Sequence, residues 1–201
     1  MVNIAVFVSG GGTNLQALID ACEAGKINGQ IKLVVSSKKT AYGLTRAENH
    51  NIRGIFTRDE DVIIEELRNE KIDLIVLAGY LAIVSEKLIN EYENKIINIH
   101  PSLIPSFCGP GFYGHHVHEA VFKRGVKLSG ATVHFVSAVV DGGPIILQEA
   151  IDISLCNSPD EIAELILKNV EHKLLVKAVS LYCENKLEVI NERVKIKWKE
   201  H

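Results

Sequence analysis

No stretch of this 201-residue chain approaches the ~20 consecutive apolar residues that a membrane span requires. No basic stretch leads an apolar segment at the N-terminus, so a secretory leader is not expected. The four cysteines, Cys22, Cys108, Cys156 and Cys183, show neither a C-x-x-C pair nor finger spacing, and they read as free thiols in a reducing compartment. Basic excess is also missing. The formal net charge is -3 and the pI about 6.2. That balance argues against a broad nucleic-acid-binding face and leaves a local anion site open. Together these absences describe a cytoplasmic protein without membrane or nucleic-acid partners. What is there is ordinary for a globular chain, 47% hydrophobic and 23% charged, and the length suits one domain with a substantial core.

Along the chain, short apolar runs alternate with helical spacing. Val2 to Val8 is nearly continuous apolar, the pattern of a strand buried on both faces. Ser9-Gly10-Gly11-Gly12-Thr13-Asn14 interrupts it, and Leu15, Leu18, Ile19 and Cys22 follow at helical spacing. Further strands are expected at Ile31 to Val35, Ile52 to Phe56 and Leu74 to Ala78, with helices from Tyr42 to His50, Asp61 to Lys71 and about Ser85 to Tyr92. Such alternation predicts an α/β fold with a doubly wound, mostly parallel sheet. Ligands then sit beyond the carboxyl ends of the strands, so the turns at Gly10, Gly79 and Pro101 should converge. After a glycine-rich loop from Ser106 to Gly114, a helix is expected from Val117 to Arg124. Ala131 to Val136 and Ile145 to Ile151 read as strands around Asp141-Gly142-Gly143-Pro144, a connection short enough for antiparallel pairing and a mixed C-terminal part. Ser158-Pro159-Asp160-Glu161 starts a helix that should run to about Tyr182. Leu187 and Val189, then Val194, Ile196 and Trp198, alternate as a closing hairpin. The chain reads as one domain, 1–201, with a βα half at 1–100 and a second half at 101–201.

Three stretches carry chemistry. The glycine turn feeds a helix N-terminus, where free N–H groups and the positive dipole end suit a phosphate. The dinucleotide and Walker fingerprints both fail at Leu15, where each needs glycine, and no ribose-binding acid ends the second strand. A phosphate monoester held by Gly12, Thr13 and Asn14 fits better; a tight turn without ligand is the plain alternative. In Asn98-Ile99-His100-Pro101, strand alternation puts Asn98 and His100 on one face, and Pro101 ends the strand beside them. They either cap the strand end or donate to an oxyanion, each such donor being worth ~3 kcal/mol. As a donor at neutral pH, His100 should be protonated, and Asp141 is the carboxylate placed to favour that. His115, His116 and His118 lack acidic or cysteine partners at ligand spacing, so no metal is expected. His134, between apolar residues, reads as a satisfied structural histidine. Glu171-His172 is either a solvated face or turned toward the sheet edge. Cys108 has no base with a claim to it and is not expected to act as a nucleophile.

In order, these segments resemble the formyltetrahydrofolate-dependent formyltransferases, and among them the group that formylates glycinamide ribonucleotide in de novo purine synthesis. The resemblance runs from about Ile4 to Tyr182. It rests on Ser9 to Asn14, on Leu77-Ala78-Gly79-Tyr80-Leu81, on Ile97-Asn98-Ile99-His100-Pro101-Ser102-Leu103-Ile104-Pro105, and on Thr132 to Val136 with Asp141 to Gln148. It implies a Rossmann-like formyltransferase fold with Asn98, His100 and Asp141 as the catalytic trio. The ribonucleotide would be held by Gly12, Thr13, Asn14, Gly79, Pro101 and Glu171, the last on the ribose hydroxyls. The folate would rest on Leu81, Ala82, Ile83, Val84, Asn98, Val139, Val140 and Asp141, with Arg58 toward its tail. The implied partners are 10-formyltetrahydrofolate as cosubstrate and glycinamide ribonucleotide as acceptor, on a monomer or homodimer without metal. The chain departs from the pattern at Ala82, where many members carry arginine, at Ser137 for a common aspartate and at Val176 for a common proline. The nearest rival is a formyltransferase of the same kind acting on another amine, such as a nucleotide-linked amino sugar. A non-catalytic phosphate-binding sensor could share the glycine loop but has no use for the trio.

Overall fold

The computed structural model describes residues 1–197. The predicted hairpin position Trp198 lies outside them. A seven-stranded sheet runs in the order β3-β2-β1-β4-β5-β6-β7. Its strands are β1 (Val2–Val8), β2 (Gly29–Ser36), β3 (Arg53–Phe56), β4 (Leu74–Leu77), β5 (Ile96–His100), β6 (Leu128–Phe135) and β7 (Ile145–Asp152). The first five are mutually parallel, whereas β6 pairs antiparallel with both β5 and β7. The doubly wound sheet and its mixed C-terminal part are therefore as the alternation predicts. A separate hairpin joins β8 (Leu187–Ile190) to β9 (Arg193–Ile196).

Strand alternation divides the core in two. Ile4, Val6 and Val8 of β1 face one layer, with Leu15, Leu18, Val117, Ile166 and Leu174 from the helices packed there. Ala5 and Phe7 face the other, against Ile63, Ile64, Leu67 and Leu88. The first layer holds α1 (Thr13–Glu23), α2 (Tyr42–Asn49), α5 (His115–Arg124), α6 (Pro159–Ile166) and α7 (His172–Cys183); the second holds α3 (Glu60–Asn69) and α4 (Glu86–Glu91). Past β4 the second face changes character. Ile97 and Ile99 of β5 and Ala131, Val133 and Phe135 of β6 go to the first layer. Asn98, His100, Thr132 and His134 consequently point to the other side, among apolar neighbours they cannot join without partners.

Most element bounds differ from expectation by a residue or two at frayed ends. Two differences are larger. β6 begins at Leu128 rather than Ala131, its added residues pairing with Asp152, Ile151 and Ala150 of β7. The long C-terminal helix is not continuous: a π-turn at Leu167–Glu171 separates α6 from α7. Such a turn adds one residue to the helix without unravelling it, so both Val170 and Glu171 face inward, at 1% and 7% exposure. At the start of α6, Ser158 accepts the Glu161 N–H and Pro159 occupies the first turn, as its sequence signature requires.

Candidate active site

The sheet's topological switch lies between β1 and β4, whose following turns meet. Leu81 donates its N–H to Ser9 Oγ at 2.8 Å, and Ser9 Oγ lies 2.6 Å from Ser37 Oγ at the end of β2. Gly12 must be glycine: its φ is +69°, and a Cβ there would lie 2.8 Å from Gly43 Cα. Gly43 donates to Gly10 O and Arg46 Nε donates to Gly11 O, pinning the loop against α2. The first amide of α1 with a helical acceptor is that of Gln16, bonded to Gly12 O at 2.9 Å. Those of Thr13, Asn14 and Leu15 precede it, so this end of α1, with no acidic residue in its first turn, can receive an anion.

Asn14 and Glu171 are brought together from 157 residues apart, Asn14 Nδ2 donating to Glu171 Oε2 at 2.8 Å. Burial pushes the Glu171 carboxyl above its usual value, opposed by that bond. Asn14 Oδ1 is buried without a partner. An anion would find this oxygen repulsive, so the Asn14 backbone suits a phosphate while its side chain, with Glu171, suits a hydroxyl donor. Of the two open readings of Glu171, the inward one holds.

On the far side, Gly79 turns the chain out of β4 at φ +75°. Leu81, Ile83, Val139 and Val140 stand exposed at 47%, 91%, 68% and 52%, with Ala82 and Val84 half-buried between them. Exposed apolar side chains of this kind mark binding surfaces. Arg58 sits at the same sheet edge, with its Nε committed to the Ser37 carbonyl at 2.8 Å.

Between the two, Asn98, His100 and Asp141 converge. Asp141 Oδ2 lies 3.6 Å from His100 Nδ1 and accepts the Gly109 N–H at 2.8 Å. Its Oδ1 lies 3.7 Å from His134 Nε2, beyond hydrogen-bond length. Burial would raise the Asp141 carboxyl, but His134, the Gly109 N–H and His100 outweigh it, and the group is held below the ordinary aspartate value. Asp141 and Phe107 both adopt left-handed backbone, φ 55 and 52. That conformation is strained for non-glycine residues and persists where surroundings over-determine it.

The surroundings here are a hydrogen-bonded strap. Thr132 Oγ1 donates to Ser102 O at 2.7 Å and accepts the Ile104 N–H at 3.1 Å. Gln148 Nε2 donates to Ile104 O at 2.8 Å, and Ser102 Oγ to Ser106 O at 2.7 Å. Pulled in this way, the loop after Pro101 delivers the Phe107 carbonyl to His100 Nε2 at 2.9 Å. A carbonyl only accepts, so Nε2 carries a proton, and in a neutral ring a bare Nδ1 faces Asp141. Asp141 raises its proton affinity, but burial at 4% exposure acts more strongly, and the imidazole is held below its usual value.

His134 is the buried, satisfied histidine that was expected, with its Nε2 3.1 Å from Asn98 Nδ2. Sequence reasoning missed that contact, and it missed Thr132, Ser102 and Gln148. The available signal was period two: Thr132 and His134 share a strand face and pair across from His100 and Asn98. Among the described residues no group of three or more His, Cys, Asp or Glu side chains is gathered as a metal would need, and no helix is long and apolar enough to cross a membrane. All four cysteines are free.

Residues 2–179 match the family model described as Formyl transferase. A phosphoribosylglycinamide formyltransferase of Haemophilus influenzae is 38% identical over 196 residues, covering 93% of this chain and 90% of that protein. The chloroplastic phosphoribosylglycinamide formyltransferase of Arabidopsis thaliana is 36% identical over 207 residues, covering 98% and 68%. Among solved structures, glycinamide ribonucleotide transformylase 1 from Symbiobacterium toebii superposes with a TM-score of 0.90 at 36% identity, covering 98% of this chain and 94% of that one.

Proposed function

We propose, from the premise that this chain belongs to the formyl transferase family, that it transfers the formyl group of 10-formyltetrahydrofolate to the amine of glycinamide ribonucleotide. The observation that carries this reading is the convergence of Asn98, His100 and Asp141 around His134, in a chain that also has an anion-ready helix end and exposed apolar side chains. In the transfer, a C–N bond forms between the acceptor amine and the formyl carbon, the bond to the folate N10 breaks, and one proton moves from the amine to N10. Relatives named phosphoribosylglycinamide formyltransferase or glycinamide ribonucleotide transformylase favour this acceptor over a nucleotide-linked amino sugar.

The amides of Gly12, Thr13 and Asn14 receive the ribonucleotide phosphate, and Glu171 with Asn14 Oδ1 receives the ribose hydroxyls. Gly79 and Pro101 border the glycinamide. The folate supplies an activated formyl carbon. Its ring fits against Leu81, Ala82, Ile83, Val84, Val139 and Val140, a wall whose exposed apolar area gains from being covered; Arg58 lies toward the tail. Asn98 has an amide hydrogen to spare for the formyl oxygen as negative charge develops there. His100 Nε2–H reaches that oxygen only where the Phe107 carbonyl yields. The proton released by the amine is received at the Asp141–His100 pair, where Nδ1 is bare and a proton would complete an ion pair. These assignments cross the two halves of the chain, since Glu171 serves the ribonucleotide and Leu81 the folate. The free cysteines support a reducing, cytoplasmic setting.

An acceptor comparison tests the reading. The purified protein should consume 10-formyltetrahydrofolate with glycinamide ribonucleotide, and at least ~10²-fold more slowly with a nucleotide-linked amino sugar, because buried polar groups left unpaired discriminate strongly. Faster turnover with the amino sugar would replace the acceptor assignment.

A further inference from the structure

Asn98 and His134 are direct cross-strand partners in the antiparallel β5–β6 ladder, so their side chains emerge side by side on one face. Asn98 Nδ2 and His134 Nε2 are 3.1 Å apart, and His134 is 2% exposed. The other ring nitrogen, Nδ1, lies 2.8 Å from the Phe135 carbonyl oxygen. That oxygen can only accept, so Nδ1 carries a hydrogen. In a neutral ring Nε2 is then a bare lone pair and can only accept. The carboxamide atom facing it must be the nitrogen; the reverse orientation would oppose Oδ1 to a lone pair inside the protein, leaving two buried acceptors unsatisfied. A primary amide nitrogen has two hydrogens. One is spent on His134, and the other leaves along a fixed direction.

We propose that His134 is a positioning residue for formyl transfer: its neutral ring, protonated on Nδ1, orients the Asn98 carboxamide so that the second Nδ2 hydrogen meets the formyl oxygen. This rests on the reading of Asn98 as an oxyanion donor. The titratable groups facing His134 are Asp141 from the turn after β6 and His100 from β5. Its partner on β7 is the apolar Ile145.

The test is a double-mutant cycle on the full chain, with kcat and the ribonucleotide KM measured separately. His134→Leu should lower kcat by ~10²-fold, the loss expected of a misaimed donor, while KM stays within about twofold. His134→Gln, whose amide oxygen can take the same Asn98 hydrogen, should recover to within about tenfold of wild type. In an Asn98→Ala background, His134→Leu should lower kcat by less than about threefold, since its target is gone. An equal loss with and without Asn98, or a loss carried by KM, would overturn the proposal and leave the role of Asn98 standing. Full kcat in Asn98→Ala alone would overturn that role, and the proposal with it.

Discussion

Acid should destabilise this protein through His118, and the size of the effect follows from its surroundings. The ring lies on α5 at 5% exposure, with its Nδ1 buried and without a hydrogen-bond partner. Burial, reinforced by His115 and His100, lowers its pKa to about 4. The folded-state value is depressed below the unfolded one, so above pH ~6.5 the ring is neutral in both states and contributes nothing. As pH falls below that, the unfolded chain takes a proton that the folded chain refuses until about pH 4. With an unfolded value of ~6.5, the loss is about 2.5 kcal/mol by pH 4.5 and about 3 kcal/mol once both states are protonated. The assay is urea unfolding followed by circular dichroism at pH 7.5 and 4.5, comparing wild type with His118→Leu. Titration of His100, His172 and the carboxylates is shared by both and cancels. At ~2 kcal/mol per molar urea, the wild-type midpoint should move about 1 M further than the variant's, with slopes unchanged. Equal shifts in the two proteins would refute the reasoning and require a protonated or water-partnered His118 in the fold.

Three further outcomes follow from the site. Asp141→Asn should lower kcat by ~10²–10⁴-fold while ribonucleotide affinity, read by calorimetry, survives; wild-type activity would remove Asp141 from the reaction. Glu171→Gln should raise the ribonucleotide KM about tenfold with kcat within about twofold, the pattern of a lost ground-state contact, and an unchanged KM would detach Glu171 from the ribose. Gly12→Ala should cost about 1–2 kcal/mol in urea unfolding through its left-handed backbone. Contact with Gly43 adds to that loss and should weaken phosphate binding as well.

Local patterns made much of this molecule legible. Val2 to Val8 and Leu74 to Leu77 are strands buried on both sides, and continuous apolar runs say so without reference to the rest of the chain. Asn98 and His100 share a face because strand alternation requires it, and Asp141 meets His100 as the pattern suggested. What was hidden depends on distance and depth. His134 looked structural because its partner is set by the β5–β6 register, which no local pattern encodes. The π-turn before α7 shifts helical phase by a single residue, too little to show in a stripe that stays apolar on both sides. The lowered proton affinity of His100 was hidden for a related reason: the sequence names its carboxylate, but how deeply the loop from Pro101 to Gly109 buries the ring appears only in three dimensions.

The central claim is that a single site carries a formyl group from folate to a phosphoribosyl amine. It is tested most directly with 10-formyltetrahydrofolate labelled with ¹³C at the formyl carbon. With glycinamide ribonucleotide present, the label should appear on the acceptor nitrogen, one equivalent for each tetrahydrofolate released, and without it no folate should be consumed. Label released as formate, at a rate indifferent to the ribonucleotide, would contradict the account.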